Sequence, residues 1–365
     1  MNCRVCDGAL DPVFEMDPMP MAGAFATTME EAEDATRYPL TWARCRRCGL
    51  VNVTPDIPDA TLYAQYRYAA SSVPALVRHH ADFAKHIIPH HGARARLLEI
   101  GCNDGVLLRN LPKSWDLVGV DPSDVARDAE DRTWALVNVP FTADLGRALG
   151  KFDAITSSNS LAHFTGLASA IEGIAQALKP HGRAYIEVHD LDATLASGQW
   201  DTIYHEHKVE WSMDSLSVAF ARYGLRMVSA VRLPLHGGLI RAEFVKASPS
   251  VTDPYPAPDF GPLQTAHNER RGTDAYRVMS AGGAAYGAAG RASVYLNQIP
   301  ELPLAFVVDG SPKRSGRYMP GTGLAIVTPL LFDEKRPRRT LITAWNHAPD
   351  IMARHPDYDG WVSAW

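Results

Sequence analysis

The chain has no apolar run approaching the ~20 residues that a membrane-spanning helix needs, so we expect no membrane contact. Its first ten residues lack the basic start and apolar stretch of a secretory signal. Neither sign of charge dominates, because 36 Lys and Arg stand against 41 Asp and Glu and the basic residues are scattered. A surface for nucleic acid is therefore not expected. These absences predict a cytoplasmic protein whose partners are small molecules.

Cysteine is scarce, with five residues in 365, but four of the five are paired. Cys3 and Cys6 form one C-x2-C pair, and Cys45 and Cys48 form a second. In a reducing compartment such pairs favour Zn²⁺ over disulfides, because each pair presents two thiolates from one tight turn. Four thiolates close a tetrahedral shell and leave no open position. We predict one structural zinc ion; two unrelated reduced pairs are the alternative.

The order of apolar runs and turn residues predicts an α/β protein in three parts. Residues 1–62 form a small zinc-binding module, 63–252 a central domain, and 253–365 a C-terminal domain that begins in a Pro-rich stretch. The central part alternates strand patterns (RLLEI, LVGVD, FDAITSSNS, HGRAYIEVHD) with helical ones such as VLLRNL. Alternation of this kind is typical of a doubly wound, mostly parallel sheet. LAFVVDGSP, GLAIVTP and RTLITAW predict a second α/β set after the boundary.

The stretch LLEIGCNDG joins a strand end to a glycine turn, which is where open α/β sheets bind ligands. Glu99 closes the strand, Gly101 lets the chain turn, and Gly105 permits close approach at the next helix. A dinucleotide loop would read G-x-G-x-x-G and would avoid negative charge. This loop carries Asn103 and Asp104 instead. Such groups suit a cation, such as the ammonium of S-adenosylmethionine.

Two later strand ends point to the same crevice. Asp121, followed by Pro122, ends LVGVD, where a carboxylate would accept hydrogen bonds from both ribose hydroxyls. Asn159 ends a later strand at a ligand-facing position. Loop and strand ends together favour S-adenosylmethionine; a different nucleotide ligand, or a degenerate site, is the alternative. The partial motif YGAAGR, with Asp309 in FVVDGSP, is interpreted as a relic or substrate-side fold without cofactor, because no strand rich in β-branched residues precedes it.

The segment QWDTIYHEHKVEW places Tyr204, His205, Glu206 and His207 side by side. On a helical turn Tyr204 and His207 share a side, whereas His205 points elsewhere. Methyl transfer to carbon needs a base next to an acidified C–H and a donor for the enolate oxygen. A neutral histidine is the base best matched to pH 7, with Glu206 to orient it and Tyr204 to donate. A metal on His205 and His207 lacks a clear third ligand, and a solvated loop is the other alternative.

With these residues in view, the chain resembles the S-adenosylmethionine-dependent C-methyltransferases that act on nucleotide-activated deoxysugars. The resemblance runs over almost the whole chain, in the paired cysteines, YRYAASS, LLEIGCNDGVLL, SNSLAHF, WDTIYHEH, HGGLIR, AYGAAGR, FVVDGSPKRSGRYMPGT and LITAWNHAPDIM. It implies a zinc-bearing module, a Rossmann-like methyltransferase domain, and a C-terminal Rossmann-like α/β domain without cofactor that helps to hold the sugar nucleotide. The implied reaction is C-3 methylation next to the 4-keto group of a dTDP-sugar, in deoxysugar and antibiotic biosynthesis. We expect a monomer.

By position, the resemblance implies that His207 is the base that removes the proton next to the keto group. Tyr204 and Glu206 match neighbouring active-site residues, and His163 matches a histidine in the same cleft. Tyr66, Tyr68, Ser71 and Ser72 match the segment that meets the substrate or closes over the cofactor. With Arg241, they are the implied substrate-binding residues. The chain departs from the family pattern at KVEWS after YHEH, at GGLIR and at Trp200. Methylation of another activated metabolite, at carbon or oxygen, is an alternative, as is a non-catalytic binding protein of this fold.

Overall fold

The structure, a computed structural model, describes residues 1–62, 69–251, 256–271 and 282–363, and arranges them around three β-sheets. The strands are β1 Leu10–Met19, β2 Tyr38–Cys45, β3 Val51–Thr54, β4 Arg96–Ile100, β5 Asp116–Val120, β6 Ala135–Val137, β7 Phe152–Ser158, β8 Leu178–His189, β9 Val209–Glu210, β10 Leu225–Leu233, β11 Leu239–Lys246, β12 Gly283–Tyr286, β13 Leu304–Val308, β14 Ile326–Val327, β15 Thr340–Ile342 and β16 Trp361–Ser363. The helices are α1 Met29–Glu33, α2 Asp59–Leu62, α3 Pro74–Ile87, α4 Asp124–Arg127, α5 Ala143–Ala148, α6 Leu167–Ala177, α7 Leu191–Ala196, α8 Met213–Ala221, α9 Gly261–Arg271, α10 Gly290–Gln298, α11 Pro329–Lys335 and α12 Ala348–Arg354. Within these described ranges, no helix is both long and apolar enough to cross a bilayer.

The first sheet has the order β1-β2-β3-β9 and is antiparallel throughout. Its last strand comes from far along the chain, directly after the YHEH segment. Val209 and Glu210 pair with Asn52 and Val51, and the backbone N–H of Val53 donates to the Lys208 carbonyl at 2.9 Å. The N-terminal module is therefore completed by residues of the central part, and this pairing fixes where the side chains after YHEH point.

The central sheet has the order β10-β11-β8-β7-β4-β5-β6. Strands β4 to β8 run parallel, which confirms the predicted mostly parallel sheet, and β11 lies antiparallel between β8 and β10. Since β5 and β6 lie on one side of β4 and β7 and β8 on the other, the strand order reverses between β4 and β7. Such a switch point opens a crevice at the carboxyl ends of the strands.

The third sheet has the order β14-β13-β12-β15-β16 and is wholly parallel, with its own switch point between β12 and β15. A strand does precede YGAAGR, since β12 leads directly into it, but it contains no β-branched residue, as expected. Ala284 and Ala285 are fully buried between the two neighbouring strands, so the strand is built from small residues. VLLRNL differs from its prediction, forming a single 3-10 turn at Leu108–Asn110 before Pro112.

Candidate active site

The four paired cysteines meet beside the N-terminal sheet. The sulfur atoms of Cys3 and Cys48 lie 3.5 Å apart, as do those of Cys6 and Cys45, and all four lie within 4.8 Å of one another. Zn–S bonds of about 2.3 Å put tetrahedral thiolates about 3.8 Å apart, so these positions fit a structural zinc ion. A Cβ on Gly8 would approach the Cys45 sulfur to 2.9 Å, so the cluster also needs its glycine.

The switch point of the central sheet is strongly acidic. Glu99 is buried at the end of β4, and its Oε2 has no hydrogen-bond partner among the described residues. Burial raises the pKa of Glu99 well above its usual range, and the nearby charges of Asp121, Asp104 and Glu187 raise it further. A cation placed in the crevice would relieve this repulsion, as predicted for the charged end of S-adenosylmethionine.

Gly101 and Gly105 both adopt a positive φ, and each lies against a different side chain. Gly101 has φ +74°, and a Cβ there would lie 2.3 Å from Ser160 Cβ. Gly105 has φ +79°, and a Cβ there would lie 2.1 Å from the Trp134 ring. Both positions therefore require glycine, the second because an indole side chain closes over it.

The polar side chains of the loop hold backbone of the preceding segment. Asn103 Oδ1 accepts a hydrogen bond from the Ala70 N–H at 2.9 Å, and Asp104 Oδ2 accepts from the Ser71 N–H at 3.2 Å. The sequence predicted that the Asn103 and Asp104 side chains contact the cofactor. In the structure these two oxygens instead accept hydrogen bonds from the backbone. The other oxygen, Asp104 Oδ1, is buried with no hydrogen-bond partner in the described ranges, so it is the atom left to face a ligand.

Asp121 already accepts two backbone hydrogen bonds, from Asn103 N–H to Oδ2 and from Ser123 N–H to Oδ1, each at 2.8 Å. A carboxylate has about four acceptor positions, so each oxygen can still take one ribose hydroxyl. Asn159, with φ +52°, buries its Oδ1 with no hydrogen-bond partner in the part of the chain that the structure describes. Pro122 is exposed beside the crevice.

The predicted substrate residues that the structure describes, Ser71, Ser72 and Arg241, each have a partner within the chain. The Ser72 hydroxyl donates to the Ala69 carbonyl at 2.6 Å and is exposed. Arg241 is buried, with Nη2 2.6 Å from Glu187 Oε1 and its guanidinium 4.3 Å from the Phe83 ring centroid. A buried cation needs such a carboxylate partner, so this pairing accounts for Arg241 without a substrate. Tyr66 and Tyr68 lie outside the described residues.

Two side chains of the YHEH segment, Tyr204 and His207, contact each other, and the other two bind the N-terminal module. The Tyr204 hydroxyl lies 2.8 Å from His207 Nε2, and the backbone N–H of His207 donates to the Tyr204 carbonyl at 3.0 Å, so both side chains share one side of a turn. His205 Nε2 donates instead to the Pro39 carbonyl at 3.0 Å. Glu206 Oε1 accepts from the Gly23 N–H at 3.0 Å. The prediction that Glu206 orients His207 is not supported by this contact, which holds the N-terminal module.

Three further histidines lie around His207. The His163 ring centroid lies 5.3 Å from that of His207, His189 lies 4.8 Å from His207, and His236 lies 6.1 Å from His189. His163 Nδ1 donates to the Glu206 carbonyl at 2.7 Å. Burial lowers the pKa of His163, of His207 and of His236 to about 3. These imidazoles are therefore neutral at pH 7, and a proton that arrives on one of them needs a nearby negative charge to be held.

Sequence reasoning missed several residues of this cavity. They are His189 at the end of β8, Glu210 on β9, His236 between β10 and β11, and Arg291 on α10. Arg291 donates to the His236 carbonyl at 2.8 Å, and a Cβ on Gly290 would lie 3.1 Å from the Tyr204 ring. The start of α10 therefore forms one wall of the cavity. The signals for His236 and Arg291 were the motifs HGGLIR and AYGAAGR, in which Arg241 was the one residue given a role.

Comparisons with known proteins agree with this architecture. Three family models match in succession: "Putative zinc binding domain" at residues 3–63, "Methyltransferase domain" at 67–230 and "C-methyltransferase C-terminal domain" at 276–365. The chain is 28% identical to C-methyltransferase NovU of Streptomyces niveus over 98% of this chain and 92% of that protein.

Solved structures resemble the chain more distantly. The Burkholderia thailandensis 1,6-didemethyltoxoflavin-N1-methyltransferase, which binds S-adenosylhomocysteine, is 15% identical over 57% of this chain and 96% of that chain, with a TM-score of 0.39. A TehB-like methyltransferase from Corynebacterium glutamicum is 20% identical over 48% of this chain and 100% of that chain, with a TM-score of 0.34.

The cysteine cluster, the two Rossmann-like sheets and the acidic crevice define a zinc-binding, S-adenosylmethionine-dependent methyltransferase. The C-terminal model and the likeness to NovU over 98% of this chain make the chain similar to C-methyltransferases, which act at carbon.

Proposed function

We propose that the chain methylates C-3 of a dTDP-4-keto-deoxysugar through a base-generated enolate, in natural-product biosynthesis. The observation that carries this proposal is the Tyr204–His207 pair, with 2.8 Å between hydroxyl and Nε2, in a cavity of neutral histidines. The cavity adjoins the cofactor crevice, because His163 lies four residues after Asn159 and His189 ends the next strand of the sheet, β8.

Carbon becomes nucleophilic only after a proton leaves, and a ketone acidifies only the C–H bonds next to it. His207 Nε2 takes this proton as a neutral imidazole, and the electron pair of the broken bond passes to the ketone oxygen. The Tyr204 hydroxyl, released from Nε2, donates to that oxygen and stabilises its charge. S-adenosylmethionine, when bound, supplies the electrophilic methyl group.

The crevice supports the placing of the cofactor. Glu99, Asp104 and Asp121 would hold the charged and ribose parts of S-adenosylmethionine, and the Asn159 amide oxygen would accept a further hydrogen bond. On the opposite wall, the Arg291 guanidinium lies over the Trp345 ring at 4.8 Å. A cation and an aromatic face on the C-terminal side suit a nucleotide-linked substrate.

The test is incubation with S-adenosylmethionine carrying a ¹³C-labelled methyl group and a panel of dTDP-4-keto-deoxysugars. We expect S-adenosylhomocysteine, a substrate heavier by one methyl group, and a ¹³C signal from a methyl bonded to C-3. A methyl group on oxygen would assign O-methylation instead. If the protein methylates other activated ketones but no dTDP-sugar, the enolate mechanism stands and the proposed substrate is wrong.

A further inference from the structure

Glu210 is a buried carboxyl group that the reaction as described does not use. Only 1% of its surface is exposed, and neither oxygen has a hydrogen-bond partner among the described residues. Its Oε1 lies 3.4 Å from His207 Nδ1, which makes no hydrogen bond of ordinary geometry with the described residues. The backbone of Thr202 also interacts with the His207 ring and raises its pKa. Glu210 therefore faces His207 on the far side of the ring from Tyr204.

Burial disfavours both the ionised form of Glu210 and the protonated form of His207 when either occurs alone. Burial raises the pKa of Glu210 to about 8 and lowers that of His207 to about 3. The other titratable or charged groups around His207 are Tyr204, His163, His189, His236 and Arg291. None of these side chains is a carboxylate, so Glu210 is the group able to balance a proton that arrives on His207.

We propose that Glu210 is the positioning residue of the catalytic base, an inference that rests on the proposed function. Glu210 accepts the Nδ1–H of His207, which leaves the Nε2 lone pair directed at the substrate. When the C–H bond breaks, its proton goes to Nε2 and its electrons stay on the substrate as the enolate. The resulting imidazolium is then paired with the Glu210 carboxylate, the arrangement of a catalytic triad.

The fold holds Glu210 in place for this task. Its backbone pairs with Val51 of β3, close to the cysteine cluster, so the N-terminal module fixes the direction of its side chain. Glu206 does not compete for the role, since it accepts from Gly23. A separation of 3.4 Å exceeds an ordinary hydrogen bond, but such contacts are often long before substrate binds and shorten in the complex.

The same atoms suggest a second occupant, which the experiment must address. Ligand atoms of His189, His207 and Glu210 lie within 4.8 Å of one another, as two imidazoles and a carboxylate do around a divalent cation. The charge of Arg291 acts on both His207 and Glu210 and opposes a cation there. We therefore favour the proton-bearing pair and treat the metal as a competing outcome.

The first measurement needs no sugar substrate. In ¹⁵N-histidine-labelled full-length protein with S-adenosylhomocysteine, the His207 signals are assigned by their loss in His207→Asn. At pH 9, above the Glu210 pKa of about 8, we expect His207 to carry its proton on Nδ1 in the wild type, and a changed tautomer population in Glu210→Ala. Glu243→Gln changes a buried carboxyl group on β11 that pairs with His86 and Arg183. It serves as the control and should leave the His207 tautomer unchanged. An Nε2–H tautomer in the wild type, or an unchanged one in Glu210→Ala, would overturn the proposal.

The second measurement is the pH profile of methyl transfer. The pair must lose its shared proton before it can act as a base, so wild-type kcat/KM should rise with pH through a limb near the Glu210 pKa of about 8. Glu210→Gln should lower kcat by about 10²-fold with little change in KM and should lose this limb. Glu210→Asp should restore part of both. An unchanged kcat and limb in Glu210→Gln would contradict the proposal.

Metal analysis separates the competing occupant. We expect one zinc per chain in the wild type and in Glu210→Gln, with rates insensitive to a chelator that spares the cysteine cluster. A second metal ion that disappears in Glu210→Gln would overturn the proposal and assign the trio to a cation. If no dTDP-sugar is turned over, the proposed function fails, whereas the histidine spectra still decide whether Glu210 holds His207.

Discussion

The central and C-terminal sheets place an aspartate at the same point of the same architecture. Asp121 directly follows β5, and its two oxygens accept the backbone N–H groups of Asn103 and Ser123, each at 2.8 Å. One donor comes from the loop after the neighbouring strand, and the other comes from two residues further along the chain.

Asp309 directly follows β13 and repeats this pattern, accepting from the Ala288 and Ser311 N–H groups at 2.8 Å each. The two sites then differ in charge. Arg314 Nη2 lies 3.1 Å from Asp309 Oδ1, whereas Asp121 forms no ion pair with any residue that the structure describes.

This difference teaches that backbone geometry alone does not make a cofactor site. Glu99, near the end of the neighbouring strand β4, adds negative charge to the central crevice, whereas Arg314 neutralises Asp309 in the C-terminal sheet. The C-terminal domain is accordingly expected to serve the substrate and to bind no S-adenosylmethionine. The predictions below test this contrast.

The largest effect is expected at the two aspartates themselves. Asp121→Asn should weaken S-adenosylhomocysteine binding by about 10²-fold, because two hydrogen bonds to a charged acceptor, each worth about 1.5 kcal/mol, are lost or inverted. Asp309→Asn disturbs the same pair of backbone bonds and is the matched control. Calorimetry should show its Kd within about twofold of the wild type. Equal weakening by both variants would mean that the sheets do not differ as described.

A smaller effect, a gain in the free energy of unfolding, is expected when Glu99 is replaced. Its folded-state pKa is raised, so the folded chain binds this proton more tightly than the unfolded chain does, and stability falls as pH rises from the unfolded value towards the folded one. Glu99→Gln should therefore raise the free energy of unfolding of the ligand-free protein by about 1–2 kcal/mol at pH 8, with no gain at pH 4.

The same Glu99→Gln protein should bind S-adenosylhomocysteine more weakly, because the ammonium loses a charged neighbour. Urea unfolding at the two pH values and calorimetry measure both quantities. A variant less stable than the wild type at pH 8 would show that Glu99 is compensated within the protein, contrary to the acidic crevice described above.

The smallest effect is expected at Arg314. Arg314→Gln uncovers Asp309 and should lower the free energy of unfolding by about 1 kcal/mol, as expected for a partly exposed ion pair. S-adenosylhomocysteine binding at the central crevice should not change. Urea unfolding and calorimetry check the two statements, and any loss of cofactor affinity would contradict the separation of the two sites.

Features set by short stretches of chain were predictable from the sequence. The alternation of RLLEI, LVGVD and FDAITSSNS predicted the central sheet, and the spacing of three between Tyr204 and His207 predicted their shared side. The left-handed turn at Gly101 followed from its place after a strand. In each case the deciding interaction lies within a few residues.

Features that depend on distant pairing were not predictable. Glu210 enters the cavity because β9 pairs with β3, across about 160 residues of chain. Asn103 accepts a hydrogen bond from Ala70 because a separate segment folds over the loop. Arg241 on β11 pairs with the buried Glu187 on β8, three strands earlier along the chain. No local spacing encodes these contacts.

The central claim is that a proton leaves C-3 before the methyl group arrives, and that His207 removes it. The direct measurement is exchange of the C-3 hydrogen of a dTDP-4-keto-deoxysugar in D₂O, with S-adenosylhomocysteine in place of the methyl donor. We predict exchange with the wild type and a loss of ~10²-fold or more with His207→Asn, which should still bind both ligands. Full exchange and turnover by His207→Asn would contradict the account and make His163 the next candidate for the base.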